Sequence, residues 1–192
     1  MMNETASSLF DEILADHIDL AERVRPLAPL VAAIAAEICQ TFRRGDKVLI
    51  CGNGGSAADS QHLATELAIR FESDRAALPA IALTTDTSAL TAAANDLGVA
   101  QMFARQVEAL GKEGDLLLGI TTSGNSMNVL TAFKVARERK LRTVCLTGGD
   151  GGRAKELVDI CLAVPSKNTA RVQEMHILIG HAICAAVDRA FG

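Results

Sequence analysis

His62 and Glu66 stand four residues apart, a spacing that puts an imidazole and a carboxylate on one face of a helix, one turn from each other. Such a pair has three uses. It forms a solvated ion pair, it shares proton transfers as a general acid and base, or it ligates a metal, since both groups suit zinc. A further histidine, His181, lies within the apolar run Ile177, Leu178, Ile179, Ala182, Ile183 and Cys184. That setting predicts a buried ring, which serves as a hydrogen-bonded core residue more readily than as a catalyst. Gln173 precedes His181 by eight residues, roughly 12 Å along a helix. Spacing permits the two to share a site without establishing one.

Two loops of glycine and hydroxyl residues each follow an apolar run. Cys51-Gly52-Asn53-Gly54-Gly55-Ser56 comes after Lys47-Val48-Leu49-Ile50. Thr121-Thr122-Ser123-Gly124-Asn125-Ser126 comes after Asp115-Leu116-Leu117-Leu118-Gly119-Ile120. Glycines let a backbone turn sharply and approach a ligand, while amides, hydroxyls and the positive end of the next helix favour an anion. Two such loops in one small domain predict a site for a phosphorylated small molecule. Gly52-x-Gly54-x-x-Ala57 also fits a dinucleotide-binding fingerprint, with Asp86 as the acidic residue after a second strand. Against that reading stand Ser56 at the helix start and the second serine loop. Asn95-Asp96 carries groups that bind sugar hydroxyls, although a helix end followed by a turn explains it without a ligand. Gly148-Gly149-Asp150-Gly151-Gly152 reads as a turn.

The elements that must position these groups are legible in outline. Residues 1–44 form a helical segment: Leu9, Phe10, Ile13, Leu14, Ile18 and Leu20 recur near helical spacing, Pro26 and Pro29 break the pattern, and 30–42 resumes it. In the α/β core, residues 45–192, strands at 48–51, 80–84, 116–121, 142–146 and 160–164 alternate with helices at 56–71, 88–95, 101–110, 126–139 and 172–191. Apolar strands separated by helices imply a parallel sheet covered on both faces, in a single domain. Ligands bind such sheets beyond the carboxyl ends of the strands, where both loops fall.

Composition narrows the partners. A net charge of −4, no Trp or Tyr and six Phe give neither the electrostatics nor the stacking platforms for nucleic acid. Hydrophobic residues reach 49%, which hints at apolar surface covered by other subunits. The five cysteines lack metal-type pairing and mostly sit in apolar runs. No apolar stretch is long enough to span a bilayer and residues 1–5 do not open a signal peptide, so a reduced, soluble, cytoplasmic protein is expected.

Read together, Cys51-Gly52-Asn53-Gly54-Gly55-Ser56, Gln61-His62-x-x-x-Glu66, Asn95-Asp96, Thr122-Ser123-Gly124-Asn125-Ser126 and Arg171-Val172-Gln173-Glu174-x-His176 resemble the sugar isomerase (SIS) domain family, and within it the phosphoheptose isomerases. The resemblance covers nearly the whole chain, and Glu66 and His181 are what narrow it. It implies a flavodoxin-like doubly wound sheet, with the N-terminal helices used in a homotetramer whose active sites lie between subunits. It implies interconversion of D-sedoheptulose 7-phosphate and D-glycero-D-manno-heptose 7-phosphate through an enediol, the first step of ADP-heptose synthesis for the lipopolysaccharide core. Carried onto this sequence, Ser56, Thr121, Thr122, Ser123 and Ser126 hold the phosphate, with Gly54 and Gly55 in the same loop. Asn53, Asn95, Asp96 and Gln173 contact the sugar, and Glu66 and His181 are the acid/base pair. In members that resemble zinc enzymes the ligands fall at His62, Glu66, Gln173 and His181; no nucleotide or redox cofactor is implied. Thr121 stands where the family often has serine, with the hydroxyl retained.

Two other functions fit parts of the pattern. A non-catalytic relative that binds the bacterial replication initiator protein has a similar glycine loop and Arg-x-Gln-Glu-Met-His stretch, but lacks a carboxylate and an imidazole at the positions of Glu66 and His181. Isomerases of other sugar phosphates usually carry extra domains, for which a chain of 192 residues has no room.

Overall fold

The computed structural model describes the backbone of residues 2–192 and side chains from residue 6 onward; the expectation about a leader at 1–5 lies outside the described side chains. Strands β1 (Val48–Gly52), β2 (Ala80–Ala82), β3 (Leu116–Thr121), β4 (Arg142–Gly148) and β5 (Ile160–Val164) pair in parallel in the order β2-β1-β3-β4-β5. Parallel neighbours need crossovers, and helices supply them. Helix α3 (Gly55–Ala68) follows β1, α4 (Thr87–Asp96) and α5 (Ala104–Leu110) follow β2, α6 (Met127–Glu138) follows β3, and α7 (Thr169–Phe191) follows β5. Two more helices, α1 (Met2–Val24) and α2 (Ala28–Arg43), precede β1. This is the flavodoxin-like order, with its switch point between β1 and β3.

Successive side chains of a strand go to opposite faces, and here both faces are apolar. Val48, Ile50, Leu116, Leu118, Ile120, Val144 and Leu146 pack with α2, α3 and α7. Leu49, Cys51, Leu117 and Cys145 pack with Phe103, Val107, Val129, Leu130 and Phe133 of the other layer. In the central strands β1 and β3 neither face meets water, so they read as unbroken apolar runs rather than alternating ones. Arg171 and His17 dock α1 onto α7: Arg171 donates to the Ile13 carbonyl at 3.2 Å, and His17 Nδ1 donates to Glu174 Oε2 at 2.7 Å. Leu9, Phe10, Leu14 and Ile18 of α1 stay exposed.

Several boundaries differ from the sequence expectation for local reasons. β2 ends at Ala82 instead of 84, because Thr84 and Thr85 turn their hydroxyls onto the carbonyls of Ala57 and Ala82, each at 3.2 Å. β4 runs on through Thr147 and Gly148, which pair with β3 and β5. α7 begins at Thr169, before the expected 172, because Asn168 caps it, accepting from the amides of Ala170 and Arg171. Pro29 lies in the first turn of α2, where the missing N–H is harmless, so a single 3₁₀ turn (Arg25–Leu27) separates α1 from α2.

The buried histidine of α7 is His176, 1% exposed, and not His181. His176 Nε2 donates to the Thr147 carbonyl at 3.0 Å, and burial pushes its pKa down to about 4. The unfolded chain therefore takes up this proton below the ordinary value of 6.5 while the fold resists it until about pH 4. Stability present above pH 6.5 is lost across that window, by up to about 3 kcal/mol. Urea midpoints should accordingly fall between pH 7 and pH 4.5, and His176→Gln should flatten the decline. An identical slope in that variant would show that the ring does not govern it.

Candidate active site

Both hydroxyl loops leave the carboxyl ends of strands beside the switch point, the first after β1 and the second after β3. Gly54 has φ of +54°, a conformation that residues with side chains rarely adopt, and it turns the chain directly into α3. Neither α3 nor α6 has a side-chain cap on its first amides. Ala57 N donates to the Gly54 carbonyl and Val129 N to Asn128 Oδ1, each at 3.0 Å, so the amides of Gly55, Ser56, Met127 and Asn128, with the positive helix ends, are the groups an anion would meet. Thr121 Oγ1 lies 3.0 Å from Ser126 Oγ. Ser56 is buried and Ser123 exposed. Asn53 and Asn128 exchange amide hydrogen bonds of 2.9 and 2.7 Å, which tie the first loop to the start of α6. Thr122 and Ser123 line a cavity of ≈ 290 Å³ together with Gly149, Lys167 and Thr169.

Helices α3 and α7 lie against each other beside these loops. A Cβ on Gly180 would stand 2.6 Å from Leu63, so the bare position lets the helices approach. A Cβ on Gly55 would stand 2.3 Å from the Gln173 amide, which lies across the loop. Gln173 Nε2 donates to Asp59 Oδ1 at 3.3 Å. Farther along, His62 Nε2 lies 2.8 Å from His181 Nε2 and 3.6 Å from Glu66 Oε1. The Phe71 ring lies by His181 with centroids 5.6 Å apart. The side chains of His62 and Glu66 are 45% and 19% exposed. Ile179, Ile183 and Cys184 are buried in the core, while His181 itself, only half-buried, sits against His62 of α3. Gln173 and His181 therefore meet α3 at different places, the first at Asp59 and the second at His62.

The two imidazole nitrogens and one carboxylate oxygen converge on one surface, and the chemistry of this donor set suits zinc. Among the described residues no three such side chains stand at ligand positions as they are. His62 and His181, whose Nε2 atoms lie 2.8 Å apart, and Glu66 are the residues that would hold such an ion.

Asp59, Asn128 and Lys167 escaped sequence reasoning. Asp59 is 7% exposed and its Oδ2 has no hydrogen-bond partner. Desolvation raises its pKa, opposed by the Gln173 hydrogen bond and by His62. Its signal was present: positions 59, 62 and 66 recur at helical spacing on one face. Asn128 and Lys167 had no such signal, since only tertiary structure brings them to the loops. Asn95 and Asp96 lie exposed at the end of α4, Asn95 Nδ2 donating to Asp96 Oδ1 at 2.6 Å. Asp96 lines a separate apolar cavity between α4 and α5. No hydrogen bond among the described residues joins either to the loops.

The family model described as SIS domain matches residues 14–148. A phosphoheptose isomerase of Roseiflexus sp. (strain RS-1) is 54% identical over 94% of this chain and 92% of its own length. One of Aliarcobacter butzleri is 52% identical over 95% and 96%. The solved structure of the phosphoheptose isomerase from Neisseria gonorrhoeae superposes with a TM-score of 0.89 at 43% identity, covering 98% of this chain and 100% of that one. A parallel sheet with two glycine- and hydroxyl-rich loops beside its switch point, an α3–α7 groove lined by His62, Glu66 and His181, and these similarities lead to one conclusion: the chain belongs to the SIS-domain family, among the phosphoheptose isomerases, and is a sugar-phosphate isomerase.

Proposed function

We propose that the chain interconverts D-sedoheptulose 7-phosphate and D-glycero-D-manno-heptose 7-phosphate through an enediol, opening the route to ADP-heptose. The observation that carries this reading is the meeting of Glu66, His62 and His181 on one groove between α3 and α7. Aldose–ketose isomerisation moves a proton between C1 and C2, so it needs a base for a carbon-bound proton and a partner for the oxygen. Glu66 and His181 share that work. The loops hold the far end of the substrate: Gly54, Gly55, Ser56, Thr121, Thr122, Ser123 and Ser126 supply amides and hydroxyls for the phosphate, Asn53 and Gln173 face the sugar chain, and Asn95 and Asp96 stand apart from this groove within the subunit. Phosphate binding far from C1 and C2 contributes energy that positions the reacting carbons.

Zinc fits His62, Glu66, Gln173 and His181, where it would polarise the substrate carbonyl as a Lewis acid. His62, nearly half exposed, and the uncovered apolar row on α1 favour a homotetramer whose neighbouring subunits close the site. Among the described residues no helix is long and apolar enough to cross a membrane, and we place the enzyme in the cytoplasm with no nucleic-acid partner.

Purified protein should isomerise sedoheptulose 7-phosphate, lose turnover on chelation and recover it with zinc. Turnover indifferent to chelation would remove the metal from the proposal and leave Glu66 and His181 working alone. No turnover under any condition would overturn the heptose assignment in favour of another sugar phosphate.

A further inference from the structure

Residues 69–75, where α3 was expected to continue to 71, instead leave the helix and are pinned to α7 by a buried ion pair outside the proton chemistry above. Arg75 Nε donates to Asp188 Oδ1 at 2.8 Å, with the two side chains 1% and 2% exposed. Asp188 Oδ2 also accepts from the amides of Glu72 and Ser73, at 3.2 and 2.7 Å, and from Ser73 Oγ at 2.6 Å. The Ser73 hydroxyl and these neighbours hold the Asp188 carboxyl down to about 2. The same guanidinium reaches the other way, Arg75 Nη2 donating to the Glu66 carbonyl at 2.7 Å. Asp188 follows His181 by two helical turns on α7, and Phe71, inside the pinned loop, packs on the His181 ring.

A buried ion pair is a weak means of stabilising a fold, since apolar residues of similar volume do as well. A planar guanidinium fork does fix geometry, and this one touches the backbone of one member of the acid/base pair and the helix of the other. We propose that Arg75 and Asp188 are positioning residues that set the distance between Glu66 and His181, by clamping the end of α3 and the Phe71 loop onto α7. The proposal rests on the isomerase reading of Glu66 and His181.

Asp188→Asn keeps one oxygen to accept from Glu72 and Ser73 but replaces the acceptor, and removes the charge, that hold Arg75. Arg75→Gln removes the fork, and Arg75→Lys keeps the charge while losing the double reach. In Asp188→Asn and Arg75→Gln kcat should fall about ten- to a hundredfold with KM within about twofold, and Arg75→Lys should recover part of the loss. In the substrate-free protein, the His181 ring protons should lose the ring-current shift from Phe71 in Asp188→Asn. A lower melting temperature with unchanged kcat and unchanged ring shifts would overturn the proposal and leave the pair a fold anchor. If Asp188→Asn does not fold, Ser73→Ala removes a single hydrogen bond and should move kcat and ring shifts in the same direction, and no movement overturns the proposal. If the unaltered chain turns over no sedoheptulose 7-phosphate, the isomerase reading fails separately and the ring shifts alone decide the clamp.

Discussion

Glu66→Gln is expected to lower kcat by about 10³-fold or more while KM changes little. The amide matches the carboxylate in shape, and the Glu66 side chain is 19% exposed on the side of α3 facing the groove, so the fold has no reason to change. An amide cannot accept a proton from carbon, which removes the chemical step itself. In the proposed site the phosphate sits at the loops after β1 and β3, and the nearest of these residues on α3, Ser56, stands ten residues from Glu66, so binding should persist. Steady-state kinetics together with a melting curve check this. Activity within tenfold of the unaltered chain, at unchanged melting temperature, would remove Glu66 from the proton transfer.

His181→Gln should be similarly inactive and should also lose zinc. The imidazole lies 2.8 Å from His62 Nε2 and packs against Phe71; truncation to Ala would open a gap there, whereas Gln retains most of the bulk and separates chemistry from packing. Calorimetric zinc binding and kcat should fall together. The double variant with Glu66→Gln should be hardly worse than the poorer single one, because two groups that act as a unit are lost together. Additive losses would mean that the two residues serve different steps. A His181→Gln protein with full zinc affinity would place the ion, if any, elsewhere.

Much of the fold was legible because strands buried on both faces announce themselves as short apolar runs. β3 and β5 were located residue for residue, and the alternation with helices required a parallel sheet. The positions of the two glycine- and hydroxyl-rich loops were legible for a related reason: each directly follows an apolar run that forms a strand. Less legible were the places where side chains from distant segments decide the outcome. Local periodicity carries α3 on to 71, but Asp188, 115 residues beyond Ser73, draws the chain out of the helix after Ala68. The apolar run around His181 suggested a buried ring, yet the core histidine is His176 and His181 faces α3. A run says that a helix is mostly covered; it does not say which side meets a polar neighbour.

By itself, then, the sequence determined the layers, the positions of both glycine- and hydroxyl-rich loops and the pairing of His62 with Glu66, all of which depend on residues within a turn or a strand of one another. Tertiary structure alone decided that Gln173 meets Asp59, that His181 meets His62, and that Arg75 joins Glu66 to Asp188. Those contacts depend on the depth to which α3 and α7 approach, and Gly180 against Leu63 sets that depth through a Cβ that is not there. No local pattern records a packing distance between two helices more than a hundred residues apart in the chain.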